Sequence, residues 1–361
     1  MNTTFEPNFA VPPGETLAET LETLGMTQAE LAERMGRPLK TINEIVAGKA
    51  MITSDTALQL EKVLGVPASF WTNHERVYRD ALARRREAGQ LEQQLDWLKT
   101  LPVKELVRVG WITASADAVG QLRAVLSFFG VAGVEEWRAL WESPQAAFRQ
   151  SSAFAANPGA TAAWLRRGEI EAQQVDSAPF NGAAFAETLR RLRGFTLKDP
   201  AEFVPILREH CGQAGVAVVF VPPLSGVRAY GVSRWLHRSK ALIQLSSRGK
   251  TDDHLWFTFY HEAGHVMKHG KRAVFVEERE GEGAAWDPRE AEADAFAQEC
   301  LIPSGDYEQF CRNGDFSLAA IRRFASKAGI APGIVAGRLQ HERKIPFSRA
   351  NQLKRRFDFV D

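Results

Sequence analysis

Residues 261–265 read His-Glu-Ala-Gly-His, an HExxH pattern. On a helix, positions i and i+4 share a face, so His261 and His265 can offer two imidazole nitrogens to one metal ion. Glu262 lies between them, where it can hold and deprotonate a water activated by that metal. Zinc brings the pKa of such a water close to neutrality, and the set therefore suits hydrolysis. The surrounding residues fit an internal site. Along 254–269, His254, Thr258, His261, Glu262, His265 and His269 fall on one narrow stripe at 100° per residue, while Leu255, Trp256, Phe257, Phe259, Tyr260, Val266 and Met267 cover the rest. A solvated stripe would carry Lys, Glu and Gln instead.

A catalytic zinc needs a third protein ligand and an open fourth position. The segment Arg289-Glu290-Ala291-Glu292-Ala293-Asp294 supplies candidates. Glu290 and Asp294 are i and i+4, so one can bind metal while the other orients a ligand histidine. Glu292 points about 200° away from Glu290 and reads as solvated, which favours Glu290 as the ligand. His254 and His269 read as core or rim histidines, although His269 continues the row and could touch substrate. Tyr230 and Tyr260 could donate to an oxyanion, but a buried structural tyrosine is the simpler expectation for each.

These residues need a scaffold, and the sequence outlines one. Val216–Val221 is a β-branched run closed by two prolines and reads as a strand. Residues 230–236 and 241–245 are two more strands, and helices are expected over roughly 252–269 and 288–301. Near the N-terminus, leucines at 17, 21 and 24, a capping box at Thr27–Glu30, a Gly36-Arg37-Pro38 turn and an apolar face at Ile42, Ile45 and Val46 outline short helices. A fourth starts near Thr53 or Ser54. The first dozen residues read as an extended arm. Residues 75–210 read as mostly helical and rich in tryptophan, with a possible loop at 155–159 and no chemical motif. The whole is an α+β protein, divided as 1–80, a helical middle region 81–200, and 201–361.

With 45 Lys+Arg against 44 Asp+Glu, the chain as a whole is no basic nucleic-acid binder, and any DNA contact must be local. Three cysteines without CxxC spacing point to a reducing compartment. No stretch approaches the ~20 apolar residues of a membrane span, so the expected location is the cytoplasm. Arg84–Arg86 and the C-terminal basic residues, Lys354 and Arg355 among them, read as solvated surface.

The segments HLWFTFYHEAGHVMKHG and REAEADAFAQECLIP resemble the ImmA/IrrE family of metallopeptidases. That resemblance implies a small zincin-like α+β domain, a zinc (or manganese) ion held by His261, His265 and Glu290, Glu262 as general base, and cleavage of a repressor-type transcription factor. Many relatives have Asn where this chain has Asp294. Residues 14–80 resemble an Xre-type helix-turn-helix, particularly HigA-like antitoxins. This implies operator DNA as a partner and a homodimer, with Arg37, Lys40, Thr41 and Asn43 near base edges and Lys49 near phosphate. Two other readings stand beside the peptidase. One is a DNA-binding regulator or antitoxin whose metal site is structural or sensory. The other is self-cleavage in the loops between 143 and 182.

Overall fold

The computed structural model describes residues 11–142, 157–246, 251–269, 275–277 and 288–357. The chain divides into two compact units, Met1–Asp96 and Trp97–Asp361. Residues 1–10 of the expected arm and residues 155–156 of the expected 155–159 loop lie outside the described residues. Pro12 caps a helix and Pro158 opens one.

The first unit is helical: α1 (Pro13–Thr23), α2 (Gln28–Met35), α3 (Leu39–Val46), α4 (Ser54–Leu64) and α5 (Ala68–Glu92). The capping box forms, with Thr27 and Glu30 satisfying each other's backbone amides. Gly36 then ends α2 at φ 64°, a left-handed turn that glycine adopts without strain. Leu17, Leu31, Ile42, Ile45, Leu60 and Trp71 form one buried core. Buried Glu75 of α5 accepts from the Ile52 amide at 3.1 Å and pairs with Arg79 at 2.6 Å. Helix α5 runs unbroken through position 80, so the compact unit ends at Asp96 rather than at the expected boundary.

The second unit contains α6 (Val103–Arg108), α7 (Ala118–Phe129), α8 (Val134–Trp141), α9 (Pro158–Gln174), α10 (Gly182–Leu192) and α11 (Pro200–Gln213). There follow β1 (Val216–Phe220), β2 (Gly231–His237), β3 (Lys240–Leu245), α12 (Asp252–Lys268), β4 (Phe275–Glu277), α13 (Pro288–Leu301), α14 (Ser304–Arg312), α15 (Leu318–Ala328) and α16 (Pro332–His341). The mixed sheet has the order β1-β3-β2-β4. β1 runs parallel to β3, and the other pairs are antiparallel. The architecture is α+β.

β3 is buried at all six positions, and β1 at four of its five. Such strands need cover on both faces. Helix α12 contributes Leu255, Trp256, Phe259 and Tyr260 to the core that contains Val216, Val218 and Ile243. Helix α9 also packs on β1 and β3. There the Trp164 indole donates to Val221 O at 3.0 Å, and the Gln244 amide donates to Trp164 O at 2.8 Å. The expected middle region is therefore divided: residues 81–96 go with the first unit, and 97–200 with the second.

One window, Ala118–Trp141, meets the length and hydropathy of a membrane span, contrary to the reading of the sequence. Gly130, at φ 68°, ends α7 inside it, leaving two helices each too short to span. Cys211, Cys300 and Cys311 are free thiols.

The C-terminal basic run departs from its expected solvated role. Lys354 Nζ lies 2.6 Å from Asp253 Oδ2, with both side chains nearly buried, and the Arg355 amide donates to Asp252 Oδ1 at 3.1 Å. Burial, reinforced by the neighbouring Asp253 charge, raises the Asp252 carboxyl to about 6. Removing one member of a buried pair strands the other charge. We therefore expect Lys354→Met to lower unfolding stability by about 3–5 kcal/mol, measured by urea denaturation. A loss below 1 kcal/mol would mean the pair is effectively solvated.

Candidate metal centre

Helix α12 is buried on nearly every side, and its polar stripe is buried from Thr258 through His265. The HExxH face meets α13. Gly264 makes the meeting close: a Cβ there would stand 3.1 Å from Ala293 Cα and 3.3 Å from its carbonyl oxygen. Ala293 and Ala297 line the buried side of α13, and backbones flanked by such small side chains can approach to the short end of helix separations. The carboxylates on either side of Ala293 then reach the imidazoles.

His261 Nδ1 lies 2.8 Å from Asp294 Oδ1, and His261 Nε2 lies 3.1 Å from Glu290 Oε2. The two Nε2 atoms are 3.0 Å apart, and His265 Nε2 is 3.4 Å from Glu290 Oε2. One ligand atom from each of His261, His265 and Glu290 lies within 4.8 Å of the others, so the three could hold a metal ion. The donor chemistry fits a borderline cation: two imidazoles and one carboxylate. Asp294 accepts from the Nδ1–H of His261, which fixes that ring with Nε2 facing Glu290 and His265.

Burial opposes the charge on Glu290, but the adjoining imidazoles of His261 and His265 outweigh it and hold the carboxyl at about 2. Burial also lowers the His265 pKa, partly opposed by the Glu290 hydrogen bond. Both shifts keep the cluster in its ligating form, an anionic carboxylate beside a neutral imidazole.

Glu262 is fully buried and faces β2. A Cβ on Gly231 would stand 3.0 Å from Glu262 Oε1 and 2.6 Å from Thr258 Cγ2, so the glycine leaves room for the carboxylate. This supporting position was not identified from the sequence, where Gly231 is simply part of a strand.

His254 is exposed and its ring stacks 6.1 Å from that of Tyr230. Tyr260 donates to Leu189 O at 2.8 Å, a structural role, and burial raises its hydroxyl pKa well above the usual value. His269 does more than continue the row. Its Nδ1 is 2.9 Å from His265 Nδ1, and its Nε2 is 3.3 Å from Glu292 Oε2. Glu292 is exposed, as expected, yet it reaches His269 at the end of the HExxH helix.

In the first unit, Lys40, Asn43 and Lys49 are exposed on and after α3, while Arg37 and Thr41 are half-buried. Arg37 donates to Gln59 Oε1. Lys40 lies 3.9 Å from Glu44.

Comparison with known proteins matches one segment in each unit. Residues 17–71 match the family model described as Helix-turn-helix. Residues 211–340 match the peptidase family model described as IrrE N-terminal-like domain. A curated relative, Virulence-associated protein I of Dichelobacter nodosus, is 39% identical over 70 residues, which are 19% of this chain. The match spans 65% of that relative's length, just under two thirds. Among solved structures, the chain is 34% identical to an addiction module antidote protein of the HigA family from Coxiella burnetii, with TM-score 0.22, covering 23% of this chain and 92% of that one. It is 30% identical to the Pseudomonas aeruginosa antitoxin HigA with higBA promoter, with TM-score 0.22, covering 24% and 94%. The chain thus joins an Xre-type helix-turn-helix domain to an IrrE/ImmA-like peptidase-family domain.

Two substitutions test the geometry. Gly264→Leu would wedge α12 from α13 and carry Glu290 away from the imidazoles. Overpacking of this kind costs about 1–3 kcal/mol, and zinc binding in a chelator competition should fall with it. Asp294→Ala should weaken zinc by about 10–100-fold with little change in unfolding. Unaltered zinc affinity in both variants would remove the cluster as the binding site.

Proposed function

We propose that this chain, a helix-turn-helix DNA-binding domain joined to an IrrE N-terminal-like domain, is a zinc-dependent endopeptidase that cleaves a repressor-type regulatory protein. The observation that carries the reading is the convergence of His261, His265 and Glu290, with Glu262 buried on the same helix. Zinc would supply Lewis acidity for the scissile carbonyl; manganese is the alternative ion. The side chains supply the rest. His261 and His265 present Nε2, and Glu290 brings the anionic charge that offsets a divalent cation. Glu262 takes a proton from the attacking water and returns it to the departing amine as the C–N bond breaks. Asp294 holds His261 in the ligating tautomer.

The first unit would place this chemistry at an operator. Its helix α3 has the position that enters the major groove in helix-turn-helix proteins, with Lys40 and Asn43 exposed toward base edges, Arg37 and Thr41 beside them, and Lys49 placed for phosphate. A symmetric operator would call for a homodimer. A chain that works on DNA and its repressors belongs in the cytoplasm.

A second reading is a DNA-binding regulator or antitoxin in which the second unit is structural or sensory. It is favoured by the helix-turn-helix match over residues 17–71. Glu262→Gln separates the two. Under the peptidase reading it abolishes the new protein N-termini that appear in cells carrying the wild type, while zinc stays bound. Under the regulator reading the N-termini do not differ, while Lys40→Ala with Asn43→Ala relieves repression. For the DNA reading itself, that double substitution should weaken operator binding at least tenfold, as followed by fluorescence anisotropy.

A further inference from the structure

Resting on the metal-centre reading above, we infer that His269 and Glu292 are positioning residues that lock His265 in its ligating tautomer and orientation. Asp294 performs the same task for His261. The argument follows the hydrogen-bond path outward from the cluster. Glu292, an ionised carboxylate on the exposed side of α13, can only accept. Its Oε2 is 3.3 Å from His269 Nε2, so His269 carries its proton there and donates it to Glu292. In the tautomer with that single proton, the His269 ring presents a lone pair at Nδ1. That atom lies 2.9 Å from His265 Nδ1 and accepts the Nδ1–H of His265. His265 is left with its lone pair on Nε2, which faces His261 Nε2 at 3.0 Å and Glu290.

The same reasoning from Asp294 leaves a lone pair on His261 Nε2. Two carboxylates of α13, Asp294 directly and Glu292 through His269, thus direct two lone pairs of α12 at a common point. Two bare nitrogens 3.0 Å apart repel each other unless a cation stands between their lone pairs. The double relay is therefore built for an ion. One arm is direct and short. The other is extended by one imidazole, because His265 lies a full turn further along α12 than His261. Each residue in the longer arm is placed by local structure. His269 is the C-cap of α12, extended at φ −108° and ψ 155°, so its ring leaves the helical track and turns back toward His265. Its amide still donates to the His265 carbonyl at 3.0 Å, which ties cap and ligand together. The His269 side chain is 7% exposed and Glu292 is 62% exposed, so the relay runs from the buried cluster to the surface.

The test is zinc affinity of the full chain by competition with a chromogenic chelator, alongside unfolding of the metal-free forms. His269→Phe keeps the ring volume and removes the acceptor. Its zinc affinity should fall by about 10–100-fold, the usual cost of losing a hydrogen-bond partner behind a metal ligand, with metal-free stability unchanged. His269→Asn restores an acceptor near the position of Nδ1 and should recover most of that loss, which a merely structural role would not produce. Glu292→Ala should fall between the wild type and His269→Phe. If the wild type binds zinc and His269→Phe binds it equally well, the relay is overturned and the metal centre stands. If the wild type itself binds no zinc, while folded, the metal-centre reading fails and the relay with it. Equal losses in His269→Phe and His269→Asn would also overturn the relay, since packing alone would then account for both.

Discussion

The close crossing of α12 and α13 at Gly264 and Ala293 is the constraint on which the centre depends. Imidazoles on one helix and carboxylates on another meet within hydrogen-bond distance only if the backbones between them nearly touch. Small residues at the seam allow this, and the i, i+4 spacing of Glu290 and Asp294 then sets one carboxylate on either side of the contact. A larger seam residue would leave the same four chemical groups in the chain but not in one place.

The same device recurs along α12. This helix buries Asp252, Asp253, His261, Glu262 and His265, an expensive load for one element. Each of its three buried acids faces a glycine of a neighbouring element. A Cβ would stand 2.3 Å from Asp252 Oδ1 at Gly333, 2.6 Å from Asp253 Oδ2 at Gly337, and 3.0 Å from Glu262 Oε1 at Gly231. The partner element yields a side chain's worth of space so that a carboxylate can lie inside. At the N-terminal end the charge is met by Lys354 and Arg355, and acids in a first helical turn also sit favourably in the helix dipole. At the C-terminal end, imidazoles and the α13 carboxylates meet one another.

What the sequence revealed and what it concealed follow from the range of each interaction. The HExxH pair, the capping box and the strand at 216 depend on neighbours within a turn or two, and the elements form within a residue or so of where their patterns place them. The centre was largely legible because two short segments carry it, and helical phase orders the candidates within each. Phase could not reach Glu292, because its partner His269 has left the helix at the C-cap, where 100° per residue no longer applies. Lys354 looked solvated because its partner is 101 positions away in sequence (354 − 253) and nothing local marks the pairing. The role of residues 157–174 was not read from the sequence. A continuous run such as VAVVF implies a strand covered on both faces, so some helix besides α12 had to supply the second cover. Which one it would be could not be read from a strand alone.

The buried polar helix also bears on how the two halves of the function would be coupled energetically. A cluster that directs two imidazole nitrogens and a carboxylate at one point gains stability when a cation fills it. Binding to the folded state alone adds RT ln(1 + [L]/Kd), about 2.7 kcal/mol at a hundredfold excess over Kd. Because α12 also forms the central cover of the sheet and contacts α13 and α16, that gain is delivered to the core of the second unit rather than to a peripheral loop. The first unit has its own core and its own buried tie through Glu75, so its fold needs none of that energy. The candidate metal cluster and the helix-turn-helix core thus lie in separately packed units.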